Sequence, residues 1–253
     1  MRPLQTDLSI YKKFNLERPP VGIKYLMHKP KGYERVGKSL AFCEMLKEAH
    51  QRGKPFYFTR EDENCAGVSA LGMEELGTMA HAGLLGEKFK IFQEAHANGQ
   101  MVYNLFQKSP KPVKGVINYA LYAPLDKLTF EPDLLVLVMP ARKAEIVLRA
   151  LTYATGEVWE TINTIVFDCF SLFVYPFLTG KVNYTTTGLS FGMIAKELYP
   201  EGLIIISIPY QKLPAITQNL NEMEWELEAY TLGREGFLEM ERRIIRDAGE
   251  ESK

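Results

Sequence analysis

Two segments sixty-nine positions apart share one plan, and no other feature constrains the fold as much. Leu134-Leu135-Val136-Leu137-Val138-Met139-Pro140 leads into Lys143–Leu151, and Leu203-Ile204-Ile205-Ile206-Ser207-Ile208-Pro209 leads into Lys212–Leu220. Each apolar run reads as a buried strand and each following stretch as an amphipathic helix. The proline stands at the helix entry, where its missing N–H costs nothing, and Pro214 is still within the first turn of its helix. If the units are equivalent, both strands belong to one sheet and both helices to one face. A right-handed crossover is expected wherever parallel strands join. Between the units the spacing predicts a helix around Thr164–Leu178, a stop at Thr179-Gly180 and an alternating strand over Val182–Thr186.

The expected fold is therefore α+β, a mixed sheet of strand–Pro–helix units with a long C-terminal helix over Asn221–Ala248. That last helix carries Met223, Leu227, Tyr230, Phe237, Leu238, Ile244 and Ile245 at helical spacing on a charged background. Such a stripe needs cover, so Leu227, Tyr230 and Leu238 are expected against the sheet or against a second subunit of a homo-oligomer.

The first half is less regular. Thr6 or Asp7 can cap a short helix carrying Leu8, Tyr11 and Phe14, which Pro19-Pro20 ends. Val21–Met27 and Pro55–Thr59 read as strands, Ser39–Gln51 as a helix with Gly53 as its C-cap. Arg60-Glu61-Asp62-Glu63-Asn64 reads as a solvated polar loop that delivers Cys65. Short helices and turns are expected over Gly67–Gly99, with a firmer helix from Glu87 to Ala97, and a strand over Gly115–Leu121. The chain reads as a single α+β domain, 1–253, divisible into a lobe 1–110 and a lobe 111–253.

Composition excludes several classes. With 253 residues, 46% of them hydrophobic and a formal net charge of −1, the chain can bury a large core and projects no field toward nucleic acid or an anionic membrane. Ile162–Leu178, the most apolar stretch, contains Asn163, Asp168 and Pro176 and is too short and too polar to span a membrane. The first residues carry no apolar core of a signal peptide. Three cysteines, an odd number in no regular framework, argue against a disulfide-stapled secreted protein and make the cytoplasm the expected compartment.

The cysteines carry the candidate chemistry. Cys43 opens a helix, Cys65 lies in Asn64-Cys65-Ala66-Gly67, and Cys169 stands in Phe167-Asp168-Cys169-Phe170. With 21 residues between the first two and 103 before the third, only the fold can bring them together. Three readings stay open: structural thiols, a metal-thiolate or iron–sulfur centre on Cys43 and Cys65, and a reactive thiol or redox pair with Cys65 the more accessible member. Cys43, in the first turn of its helix, is expected to have a lowered pKa from the helix dipole. Cys169, between two phenylalanines, is expected to be plain core. Lys24, the lone charge of an apolar strand, faces either solvent or a ligand, and Arg60 can face a polar ligand beside Cys65. His50 reads as an exposed helical residue on the Cys43 face. No dinucleotide fingerprint, P-loop or nucleophile elbow occurs.

Arg18-Pro19-Pro20-Val21-Gly22-Ile23-Lys24, Cys43 with its helix, Phe56-Tyr57-Phe58-Thr59, Asn64-Cys65-Ala66-Gly67 with Leu71-Gly72, and Pro176–Asn183 come in an order and spacing that resembles domain-of-unknown-function family 169, the uncharacterised ArCR family of prokaryotic proteins. The resemblance runs from about Arg18 to Leu220. It implies recurring positions at Lys24, Cys43, Cys65 and Gly67, and no mechanism. Relatives carry a further cysteine after the Asn183 strand, where this chain has Thr187-Gly188, so a four-cysteine cluster here would need another ligand. The expected function is binding of a small ligand or redox cofactor at Cys43, Cys65, Gly67, Lys24 and Arg60. The alternative is a non-catalytic oligomeric binding or regulatory protein with structural cysteines.

Overall fold

The computed structural model describes residues 1–65, 67–75, 109–164 and 167–251. The short helices and the Glu87–Ala97 helix expected between Gly77 and Gly99 lie outside the described residues. Among those residues, seven strands form one mixed sheet: β1 (Val21–Leu26), β2 (Glu34–Arg35), β3 (Phe56–Thr59), β4 (Tyr119–Pro124), β5 (Leu134–Pro140), β6 (Asn183–Thr186) and β7 (Leu203–Pro209). Their order is β2-β3-β4-β1-β5-β7-β6, so strands from both halves of the chain interleave. Every neighbouring pair is antiparallel except β2 with β3. Among the described residues, the helices of ten residues or more are α1 (Phe42–Arg52), α2 (Ala141–Thr152), α3 (Leu213–Glu222) and α4 (Gly233–Glu251).

Strand alternation sorts the core into two clusters, one on each face of the sheet. Val21, Ile23 and Tyr25 of β1 and Leu134, Val136 and Val138 of β5 pack with Phe42, Met45 and Leu46 of α1 and with Leu172, Phe173 and Val174. Leu135, Leu137 and Met139 point the other way, into a cluster with Val147 of α2, Ile216 of α3 and Tyr11 and Phe14. Removing a Leu or Ile side chain of this size from water contributes about 1.5–3 kcal/mol each, so both layers are held on the sheet by ordinary hydrophobic burial.

β5 and β7 are direct neighbours, and α2 and α3 lie in the same layer. They run antiparallel, so no parallel crossover joins them. Leu137 pairs with Ile206, and the Asn219 side chain donates to the Ala150 carbonyl at 2.8 Å. In both cases the partners occupy corresponding places in the two strand–Pro–helix segments. The two proline-entered helices thus pack side by side on one face of the sheet.

Several boundaries differ from expectation. The strand placed at Gly115–Leu121 begins only at Tyr119, because Gly115 takes φ +84° and the Asn118 side chain donates to the Gly115 and Met27 carbonyls, making a turn. The C-terminal helix does not start at Asn221. α3 ends at Glu222, Met223 turns extended, and Trp225 stacks on Phe14 at 4.4 Å between centroids while its indole N–H donates to the Leu220 carbonyl. Gly233, at φ +65°, then opens α4. Tyr230 lies neither on the sheet nor free: its ring sits 3.9 Å from the Arg142 guanidinium carbon and its hydroxyl donates to Glu145.

Candidate thiol site

Cys43 and Cys65 are brought near one another by backbone pairing that their sequence separation conceals. The Asp62–Asn64 loop runs beside Leu40 as a parallel bridge: Leu40 N–H donates to the Asp62 carbonyl at 2.8 Å and Asn64 N–H to the Leu40 carbonyl at 3.3 Å. The Asn64 side chain adds a bond to the Ser39 carbonyl. The segment that opens α1 is thereby fastened along the loop that ends in Cys65.

Glu63 completes the junction. Its carboxylate accepts from Phe42 N–H at 3.2 Å, Gly67 N–H at 3.1 Å and Cys65 N–H at 3.0 Å. Glu44 takes Ala41 N–H at 2.7 Å, so two glutamates satisfy amides at the start of α1 that no helical carbonyl can reach. Burial raises the Glu63 pKa, and the surrounding backbone N–H groups pull it back down. Gly67 is required sterically, since a Cβ there would stand 2.6 Å from Phe42 Cβ and 2.8 Å from Glu63 Oε1. The loop is therefore not the solvated acidic run expected from Glu61-Asp62-Glu63. Asp62 is also buried, accepting from Thr59 N–H and from Arg35 Nε at 2.8 Å.

Around this junction the three thiols are free and unequal: Cys43 is buried, Cys65 exposed and Cys169 in between. They share one electrostatic neighbourhood. The charge of Cys65 acts on Cys43, and the charges of Cys43 and Cys65 both act on Cys169. Burial pushes the Cys43 thiol up to about 12, with Lys196 opposing and Cys65 and Glu44 reinforcing. This corrects the lowered pKa expected from its place in the first turn of α1: losing hydration outweighs a half-charge of helix dipole. Burial likewise raises Cys169, which packs against the core cluster within electrostatic reach of the other two thiols. Cys43 and Cys169 are thus neutral thiols near neutral pH.

The other expected site residues go elsewhere. Lys24 leaves β1 on the face opposite Ile23 and Tyr25, and its ammonium donates to Asp133 at 2.7 Å. Asp133 also accepts Tyr25 N–H, so this half-buried pair ties β1 to the entry of β5. Arg60 is exposed and pairs with Glu74 at 2.5 Å. Among the described residues no group of three or more His, Cys, Asp or Glu side chains stands in a metal-holding arrangement. His50 is not exposed as expected. Its ring nitrogens are shielded from solvent and form no hydrogen bond, and burial lowers its pKa to about 4. Glu63 is the residue that sequence reasoning missed: a glutamate two positions before a cysteine carries no signal that it caps a helix 21 residues upstream.

An α+β protein with a mixed sheet and a buried junction of this kind defines a class and no activity. The chain belongs to domain-of-unknown-function family 169, described as Uncharacterised ArCR, whose model matches residues 9–219. It is similar to the uncharacterized protein MJ0308 of Methanocaldococcus jannaschii, with 27% identity over 212 residues that cover 80% of this chain and 87% of that protein. No solved structure matches the chain. No helix among the described residues is long and apolar enough to cross a membrane.

Proposed function

We propose that this is a cytoplasmic protein that binds a small ligand or redox cofactor at Cys43, Cys65 and Gly67, with Cys65 as the accessible thiol. The observation that supports this reading is the shared electrostatic neighbourhood of three free cysteines at a junction held by Glu63. Two of the thiols are shielded and protonated while the third meets solvent, an arrangement that lets a ligand engage Cys65 first. A metal-thiolate or iron–sulfur centre is the sharpest form of the proposal. It requires the Cys65 loop to bring its sulfur closer to the other two as the metal binds. Lys24 and Arg60, each held by a carboxylate, are outside it.

The test is purification without oxygen, followed by a visible spectrum, metal analysis and native mass spectrometry. The expected result is a bound metal, chromophore or co-purifying small molecule that Cys43→Ser and Cys65→Ser each remove while the circular dichroism spectrum is kept. Colourless, metal-free and ligand-free wild-type protein counts against the proposal, as does a ligand retained by both variants.

A second reading, association of copies through α4, rests on exposed apolar residues at helical spacing: Phe237 is 42% exposed, Ile244 56% and Ile245 67%. Deleting Gly233–Lys253 is expected to leave the melting temperature unchanged and to lower the hydrodynamic mass toward that of a monomer. An unaltered elution volume per chain mass would argue that the helix joins no second copy.

A further inference from the structure

We propose that Cys65 is a peroxide-modified thiol that closes a disulfide with Cys43, so that oxidation shuts the thiol site. Both cysteines hang from one clamp. Glu63 accepts from Phe42 N–H and Gly67 N–H through one carboxylate oxygen and from Cys65 N–H through the other. The residue just before Cys43 and Cys65 itself are thus held by a single side chain. The parallel bridge between Leu40 and Glu63 fastens the same two segments just ahead of each cysteine. Behind Cys65, Gly67 packs so closely on Phe42 Cβ that it has no room for a side chain. Cys65 is also among the charges that act on Cys43. A disulfide needs Cα atoms about 4.4–6.8 Å apart. Cys43 is fixed in α1, so the exposed Cys65 side of the clamp makes the final adjustment.

Exposure divides the roles. Cys65 is exposed whereas Cys43 is only 6% exposed, so a peroxide dissolved in water meets Cys65 first. The Cys65 thiolate attacks one peroxide oxygen, and the O–O bond breaks. The sulfur becomes a sulfenic acid, and the hydroxide that leaves takes up the proton Cys65 had released, giving water. The Cys43 sulfur then attacks the sulfenic sulfur. An S–S bond forms, the S–O bond breaks, and the departing hydroxide leaves with the Cys43 proton as a second water. Two thiols and one hydrogen peroxide become one disulfide and two waters. Cys169 stands apart from the clamp. It leads into the π-helical turn Phe170–Val174, which reaches the junction through the Phe173 ring, 4.6 Å from that of Phe42. The inference concerns the thiols of the proposed ligand site but needs no ligand. Once the two sulfurs are joined, a metal or cofactor bound through either is released.

The test exposes the dilute, reduced full chain to hydrogen peroxide, then counts thiols under denaturing conditions and maps unreduced peptides by mass spectrometry. The three free thiols are expected to fall to one, with the intact mass lower by two hydrogens and Cys43 joined to Cys65. Cys169→Ser should keep that linkage. Dimedone, which traps sulfenic acids, should label Cys65 severalfold more in Cys43→Ser than in wild type, because the thiol that consumes the intermediate is gone. Three thiols retained by wild type, a linkage to Cys169 or between two chains, or equal dimedone labelling overturns the proposal. The linkage is read in wild type, so the test stands even if Cys43→Ser fails to fold. Ligand-free protein that still closes the disulfide would count against the ligand site and leave this inference standing.

Discussion

Asn183→Ala is expected to destabilise the protein by about 3–5 kcal/mol, as read from urea unfolding. Asn183 is fully buried at the start of β6, and its amide uses every available direction. The oxygen accepts from Thr161 Oγ1 at 3.0 Å and Ile162 N–H at 2.8 Å. The nitrogen donates to the Ile162 carbonyl at 2.9 Å and the Ser171 carbonyl at 2.7 Å. Alanine removes all four bonds and strands backbone groups that water reaches poorly. A desolvated N–H or carbonyl costs about 1–3 kcal/mol, and partial water entry keeps the total below the simple sum. Ser171 lies within the π-helical turn Phe170–Val174, which directly follows Cys169, so the same side chain also positions the third thiol. Asn183→Asp should be at least as damaging, since a carboxylate cannot donate to the two carbonyls. A loss below about 1 kcal/mol for Asn183→Ala, within the range of an ordinary surface substitution, would falsify this account of β6.

Local chemistry made part of this structure readable from the sequence. The runs 134–139 and 203–208, apolar but for Ser207, read as strands, and the prolines after them mark where the helices start. Gly53 closes α1 in the left-handed region at φ +61°, as its place after a helical stretch implies. What could not be read was pairing between distant segments. Nothing in Leu40 or Asp62 announces that their backbones bond, and the position of Cys65 depends on that bond. The same gap misassigned the charges. Asp62 and Glu63 look like solvent-facing acids in sequence, yet one grips Arg35 and the other caps α1, because unpaired amides elsewhere in the fold needed acceptors. His50 and Cys43 differ from expectation for a related reason. Helix position predicts the direction of a dipole but not how completely a second layer shuts out water, and the layer over α1 comes from residues about 150 positions later, as the Lys47 bond to the Glu197 carbonyl shows.

Asp168→Asn is expected to stabilise the protein at pH 7 by up to about 2–3 kcal/mol and to leave it unchanged near pH 4. Asp168 is buried beside Cys169, and burial raises its pKa to about 6, opposed by a hydrogen bond from Ser190 and by its own backbone N–H. Among the described residues no cation is a cause of this shift. In the unfolded chain the carboxyl has its ordinary value of 3.8. Between those two values the folded state holds a proton that the unfolded state has released, so stability falls as pH rises from about 4 to about 6 and is level above. A rise in pKa from 3.8 to about 6 corresponds to about 3 kcal/mol, at roughly 1.36 kcal/mol for each pH unit between the two values. Asparagine keeps the shape and the bond to Ser190 without a charge to bury, so it removes that slope. Other carboxylates act either way: the Asp7 pKa is lowered by the Ser9 backbone and hydroxyl, while burial raises Glu63 and Asp133. The measurement is therefore the difference between variant and wild type in urea unfolding at pH 4, 5, 6 and 7, in which their contributions cancel. A difference that stays flat across that range would mean that Asp168 is solvated in the folded protein and that the floor of the thiol site is open to water.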